Sequence, residues 1–163
     1  MARSSTDILH AKSEHLAAIE GLWRTIAAEH TSTDEMVLSR VVDGLRSSLH
    51  GFNLLESASF WLLLARKDGI PAGYLTTVRI PKADHRKGVL YIDELYVLQG
   101  YRRCGIGSSL LREVYRLGQE LGFWRIRLNA DQNDAGVCSF YEANGFSHGG
   151  DGFFQRPITN DPG

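Results

Sequence analysis

Apolar residues recur along this chain at two periods, and the switch between them marks out its elements. Between Ser13 and His30, the residues Leu16, Ile19, Leu22, Trp23, Ile26 and Ala27 fall on one helical face. Ser13 is the candidate N-cap. Ser32 and Glu35 have capping-box spacing. Leu38, Val41, Val42, Leu45 and Leu49 then build a second helical face, which Gly51 is predicted to end. The pattern then changes. Phe60–Arg66 reads FWLLLAR, the nearly continuous apolar run of a buried strand. Lys67, Asp68 and Gly69 have turn chemistry, so Ile70–Ile80 is predicted to fold back as the second arm of a hairpin. After a polar loop from Pro81 to Gly88, Val89–Leu98 (VLYIDELYVL) is a third strong strand with two acids in its middle.

A glycine-rich turn, Gly100–Gly107, leads into an amphipathic helix carrying Ile106, Leu110, Leu111, Val114, Leu117 and Leu121, with Gly122 as its C-terminal stop. Trp124–Ala130 (WRIRLNA) alternates as a strand. Asp134–Ala143 is a short helix closed by Asn144 and Gly145. Phe146–Ile158 is predicted to hold two short strands around residues 149–152, and beyond Pro157 the chain should fray. With a strand ahead of the first helix, the order is strand, helix, helix, three strands, helix, strand, helix, strand or strands. Strands adjacent in sequence followed by strands alternating with helices predict an α/β (α+β) fold, a mixed sheet with helices on both faces.

Composition narrows the function classes. A chain of 163 residues fits one domain spanning 1–163, since domains commonly hold about 100–200 residues. Its 18 basic and 19 acidic residues give a net charge of -1, without the basic surplus of a nucleic-acid binder or of a protein seeking an anionic membrane. No apolar run approaches the ~20 residues that cross a bilayer, and the first residues carry no apolar signal-peptide core. Cys104 and Cys138 form neither a CxxC pair nor a zinc-spaced cluster. Two cysteines in a chain of this length suit a reduced, cytoplasmic protein without a metal. The histidines at 10, 15, 30, 50, 85 and 148 are scattered, and none is taken as a ligand.

The chemistry concentrates where the third strand meets the following helix. The first turn of a helix has unsatisfied N–H groups at the positive end of the helix dipole, a ready phosphate site. Gly105 and Gly107 let a ligand approach the backbone closely. A Walker loop needs a lysine that is absent. The dinucleotide fingerprint needs a third glycine where Leu110 stands. The remaining pattern, [QR]-x-x-G-x-[GA], is met at every fixed position by Arg102, Gly105 and Gly107.

With these residues, YIDELYVLQGYRRCGIGSSLL resembles the core motif of the GNAT acetyltransferases, and DAGVCSFYEANGF (Asp134–Phe146) resembles their second signature, N-x-x-A-x-x-x-Y-x-x-x-G-F. Together the two motifs cover Val89–Phe146. The likeness is to small-molecule members such as diamine and aminoglycoside N-acetyltransferases. It implies the GNAT fold, a mostly antiparallel central sheet of about six to seven strands with helices on both faces. It also implies acetyl-CoA as co-substrate, a small-molecule amine as acceptor, and a homodimer, in which Phe153 and Phe154 could take part.

The resemblance assigns residues as well. The loop Arg102, Arg103, Cys104, Gly105, Ile106, Gly107 and Ser108 should hold the pyrophosphate, chiefly through backbone N–H groups. The backbone of Leu95, Tyr96 and Val97 should run beside the pantetheine, with an N–H near Val97 facing the oxyanion. A β-bulge is common in this strand of the family, and nothing in the sequence reveals one. Tyr141 stands at the general-acid position, where a phenol titrating near 10 can return a proton to a thiolate. Glu94 or Asp93 is the candidate base, directly or through water. Because neighbours on a strand face opposite ways, only one of the two is predicted to face the acceptor. The family's Asn is replaced by Asp134, with Asn133 one place early, so either Asp134 takes its pantetheine contact or the loop shifts by one. Trp23, Glu29, His30, Asp34 and Glu35 lie where relatives build the acceptor wall, and Tyr74 is a further candidate. These acids suit a cationic acceptor. Two other readings stay open: acetylation of a protein or peptide amine, and an acyl-CoA sensor without turnover.

Overall fold

The computed structural model describes residues 5–84 and 87–147. In chain order the elements are β1 (Thr6–His10), a 3-10 turn at Ser13–His15, α1 (Leu16–His30), α2 (Glu35–Gly51), a 3-10 turn at Leu54–Glu56, β2 (Phe60–Lys67), β3 (Ile70–Ile80), β4 (Val89–Val97), a 3-10 turn at Gln99–Tyr101, α3 (Ile106–Leu121), β5 (Arg125–Leu128) and α4 (Ala135–Ala143). Two compact units divide the chain, one ending at Asn129 and the other starting at Ala130. The first contains one sheet in the order β1-β2-β3-β4-β5. All neighbours are antiparallel except β4 and β5, which are parallel. Five strands among the described residues are fewer than the six to seven expected. The strands expected in Phe146–Ile158 fall, apart from residues 146 and 147, outside the described residues, as do Phe153 and Phe154.

The β2–β3 hairpin turns through Asp68 (φ 52°) and Gly69 (φ 83°). Two consecutive left-handed residues match the twist of the flanking strands. Strand alternation then sorts the side chains into two layers. Leu62, Leu64 and Tyr74 face α1 and α2, where they pack with Ile19, Leu22 and Leu49. Leu63, Leu75 and Leu90 point the other way and are fully buried. On that side Gly118 of α3 comes so close that an added Cβ would sit 3.5 Å from Leu90 Cδ1. Helices therefore cover both faces. His10 Nε2 on β1 meets Glu113 Oε1 on α3 at 2.5 Å. The Arg116 bond and then His10 hold the Glu113 carboxyl below the usual carboxylate range.

The helix ends correct the sequence reading in detail. α1 starts at Leu16 with His15 at its cap, and Ser13 Oγ instead donates to Glu56 Oε1 at 2.8 Å. The cap of α2 is Asp34, which accepts from the Met36 and Val37 amides, while Ser32 Oγ accepts the Asp34 amide. Gly51 does not stop α2 but forms its last residue.

Candidate active site

β4 is two strands in one. Over Val89–Ile92 it pairs with β3 on one edge and with β5 on the other. Then the register shifts: Ile92 opposes Thr77, Glu94 opposes Thr76, and Asp93 opposes no residue of β3. This is a β-bulge, one extra residue that bends a strand and strengthens its twist. Beyond it β5 no longer follows, and Leu95–Val97 have no strand partner on that edge among the described residues. Leu98 N–H turns toward β3 and donates to Ala72 O at 2.9 Å. Alternation therefore aims the backbone N–H groups of Leu95 and Val97 at the open edge. An extended ligand could add there as a strand does.

The bulge also removes the regular alternation by which the sequence sorted the two acids. Alternation is a property of a regular strand, and an extra residue breaks it. Asp93 and Glu94 are both exposed, and the charges of both push the Tyr74 phenol up, after the larger effect of its burial.

The loop after β4 ends in a bare helix start. Tyr101 and Arg102 close a 3-10 turn through their amides. Arg103 (φ 57°) and Gly105 (φ 78°) are both left-handed, a conformation that costs a residue bearing a Cβ about 1–2 kcal/mol. The first bond of α3 runs from Ser109 N–H to Gly105 O at 3.0 Å. No side chain caps the helix, so the N–H groups of Ile106, Gly107 and Ser108 stand at its positive end. That cradle suits a pyrophosphate. Arg102 does not extend into it: Nε donates to Val97 O at 3.1 Å, and the guanidinium lies 5.5 Å from the Tyr96 ring centre. Cys104 is exposed, with its thiol on Arg102 O.

On the α1 side of β4, side chains far apart in sequence converge. Tyr74 OH donates to Glu94 Oε2 at 3.0 Å. The Tyr74 ring lies 4.0 Å from Trp23 and stacks at 6.5 Å on Tyr96. Tyr96 OH donates to Glu29 Oε2 at 2.7 Å and is also bonded to His30 Nε2. Burial, and then the Glu29 bond, push the Tyr96 phenol up. Glu29 Oε1 further accepts the Gln99 amide at 3.1 Å. Trp23, Glu29, Tyr74 and Glu94 thus share one acid-and-aromatic wall. Asp34 and Glu35 do not join it: Asp34 is spent on the α2 cap, and Glu35 pairs with Arg24. The Tyr96 phenol as the centre of this wall escaped the sequence reading, which used only its backbone.

Tyr141 and Asp134 belong to the second unit. Asp134 caps α4, accepting from the Val137 amide at 3.0 Å. Tyr141 packs edge-on against Phe140 and Phe146, at 5.1 and 5.8 Å, and burial pushes its phenol up. Cys138 is half-buried.

A sequence model of the acetyltransferase (GNAT) family matches residues 18–146. A curated relative from Arabidopsis thaliana, GCN5-related N-acetyltransferase 4, chloroplastic, is 26% identical over 104 residues. That alignment takes in 59% of this chain and only 36% of the relative's length. Among solved structures, the aminoglycoside acetyltransferase meta-AAC0020 from an uncultured soil metagenomic sample, in complex with sisomicin, superposes with a TM-score of 0.73 at 20% identity, covering 94% of this chain and 97% of that one. The aminoglycoside N-acetyltransferase AAC(6')-Iy, in complex with CoA, gives 0.72 at 18% identity, covering 98% and 99%. At these identities the likeness is one of fold.

Proposed function

Since the chain belongs to the acetyltransferase (GNAT) family, we propose that it transfers an acetyl group from acetyl-CoA to a primary amine of a small, cationic acceptor, by direct attack in a ternary complex. The observation that carries this reading is the bulge at Asp93, which opens the β4 edge beside the bare start of α3 and brings Glu94 to the same stretch of strand. Acetyl-CoA supplies the activated acetyl thioester. The Leu95 and Val97 backbone would bind its extended arm, and the N–H groups of Arg103, Gly105, Gly107 and Ser108 its pyrophosphate. Val97 N–H donates to the thioester oxygen as charge builds there. Glu94 takes the proton of the attacking amine, with Asp93 beside it. Tyr141 returns a proton to the departing sulfur. Its raised pKa supports this role, because the phenol stays protonated at neutral pH. The acid-and-aromatic wall of Trp23, Glu29 and Tyr74 supports a cationic acceptor, since carboxylates and ring faces both attract ammonium groups. The aminoglycoside complexes of similar fold point the same way.

Acetyl-CoA-dependent thiol release against polyamines, aminoglycosides, neutral amines and short peptides tests this. Turnover concentrated in the multiply charged amines is the expected result. Equal rates with neutral amines would remove the cationic acceptor, and a preference for peptides would replace it. Tyr141→Phe should lower kcat about a hundredfold while acetyl-CoA binding stays near wild type, which a sensor without turnover would not show.

A further inference from the structure

Among the described residues, Thr76 Oγ1 is the buried side-chain polar atom with no hydrogen-bond partner. The residue is 6% exposed. A buried hydroxyl left without a partner is costly and needs a reason. Its neighbour Thr77, on the other face, shows the usual solution by donating to Tyr91 O at 2.9 Å. Thr76 sits at the bulge, directly across from Glu94, and two residues from Tyr74 on the same face. Opposed side chains on an antiparallel pair have Cβ atoms about 4.5–5.5 Å apart, so one water spans a threonine hydroxyl and a facing carboxylate. Glu94 is suitably disposed: Oε2 takes the Tyr74 hydroxyl, which leaves Oε1 for another donor. The bulge strips Asp93 of its ladder partner, bending the strand at this point.

We propose that Thr76 is a positioning residue for acetyl transfer, holding with Glu94 a water through which the acceptor amine loses its proton. This rests on the function proposed above. With no acceptor for it among the described residues, the Thr76 hydroxyl proton points to the water oxygen. The water donates to Glu94 Oε1, and its remaining lone pair faces the amine. As the nitrogen lone pair forms the N–C bond, the amine proton passes to the water and one water proton passes to Glu94. The C–S bond breaks, and the sulfur takes its proton from Tyr141. The water is restored, and the products are the amide and free thiol.

The test is a pair of substitutions assayed with sisomicin and spermidine as acceptors, beside a crystal structure of the wild-type protein. Thr76→Val keeps the shape and removes the hydroxyl. It should lower kcat roughly tenfold or more, leave the acetyl-CoA KM within about twofold, and leave the protein folded with a melting temperature near the wild-type value. Thr76→Ser should recover most of the rate. The wild-type crystal should show a water within hydrogen-bonding distance of both Thr76 Oγ1 and the Glu94 carboxylate. Absence of that water overturns the proposal whatever the kinetics. If Thr76→Val keeps full kcat while Glu94→Gln loses it, Thr76 has no role and Glu94 as base stands. If both keep full kcat, the base assignment falls with it.

Discussion

The two halves of β4 make an instructive contrast. Val89–Ile92 is paired on both edges, and Val89, Leu90 and Ile92 are buried. Among the described residues, Glu94–Val97 keeps only the β3 edge and has no fully buried side chain. Nothing separates them but the one extra residue, Asp93. The first half holds the sheet together, and the second is the half that the proposed function turns toward ligands. A single strand thus divides its labour at a bulge, and the two jobs should respond to substitution separately.

Four experiments press on that division, the largest effect first. Leu90→Ala, in the paired half, empties a fully buried site against α3 and should destabilise the protein by about 2–5 kcal/mol. Denaturant unfolding reads this, and the kcat of the remaining folded protein should hold. Glu94→Gln, in the open half, should do the reverse. We expect kcat to fall about a hundredfold, worth ~2.7 kcal/mol of barrier, with the unfolding midpoint unmoved. A large loss of stability there would break the contrast. Gly105→Ala puts a Cβ on a left-handed residue at the start of α3, a strain of about 1–2 kcal/mol, and should show as a raised acetyl-CoA KM at nearly constant kcat.

The smallest effect appears only in alkali. Tyr74 and Tyr141 are pushed up by burial, one in each unit. Below the ordinary phenol value near 10, folded and unfolded chains are both protonated, and the two groups leave stability level. Above it the unfolded chain gives up protons that the folded chain keeps, so stability falls as pH rises toward the folded-state values. Thermal melts between pH 8 and pH 11 should be flat at first and then decline, and the decline should lessen in Tyr74→Phe.

Much of this was legible in the chain itself. α3 could be read from its apolar stripe and from Gly122, because the helical period is a local property. The loop at Gly105 could be read because its spacing answers to backbone geometry. The bulge could not, since register is shared between two strands and Asp93 looks like any strand residue until β3 is placed beside it. The α2 cap was misplaced by two residues because Ser32 and Asp34 are both good cap residues, and only the chain direction at the end of α1 decides between them. The wall of Trp23, Tyr74, Tyr96 and Glu29 joins α1 to β3 and β4, and no local spacing encodes such a meeting. Thr76 offered no signal at all, because its unpaired hydroxyl is visible only against its surroundings.

Glu29 has a consequence for thermodynamics. One carboxylate holds both the Tyr96 phenol on the acid-and-aromatic wall and the Gln99 amide at the start of the loop that leads to α3. A cation that draws Glu29 toward itself must weaken one of those bonds, and the Gln99 bond belongs to the loop. On the function proposed above, the affinities of the two substrates would then be linked through a single side chain, and linkage is reciprocal. Whatever factor the acceptor imposes on acetyl-CoA binding, acetyl-CoA would impose on the acceptor, with Glu29 as the proposed link.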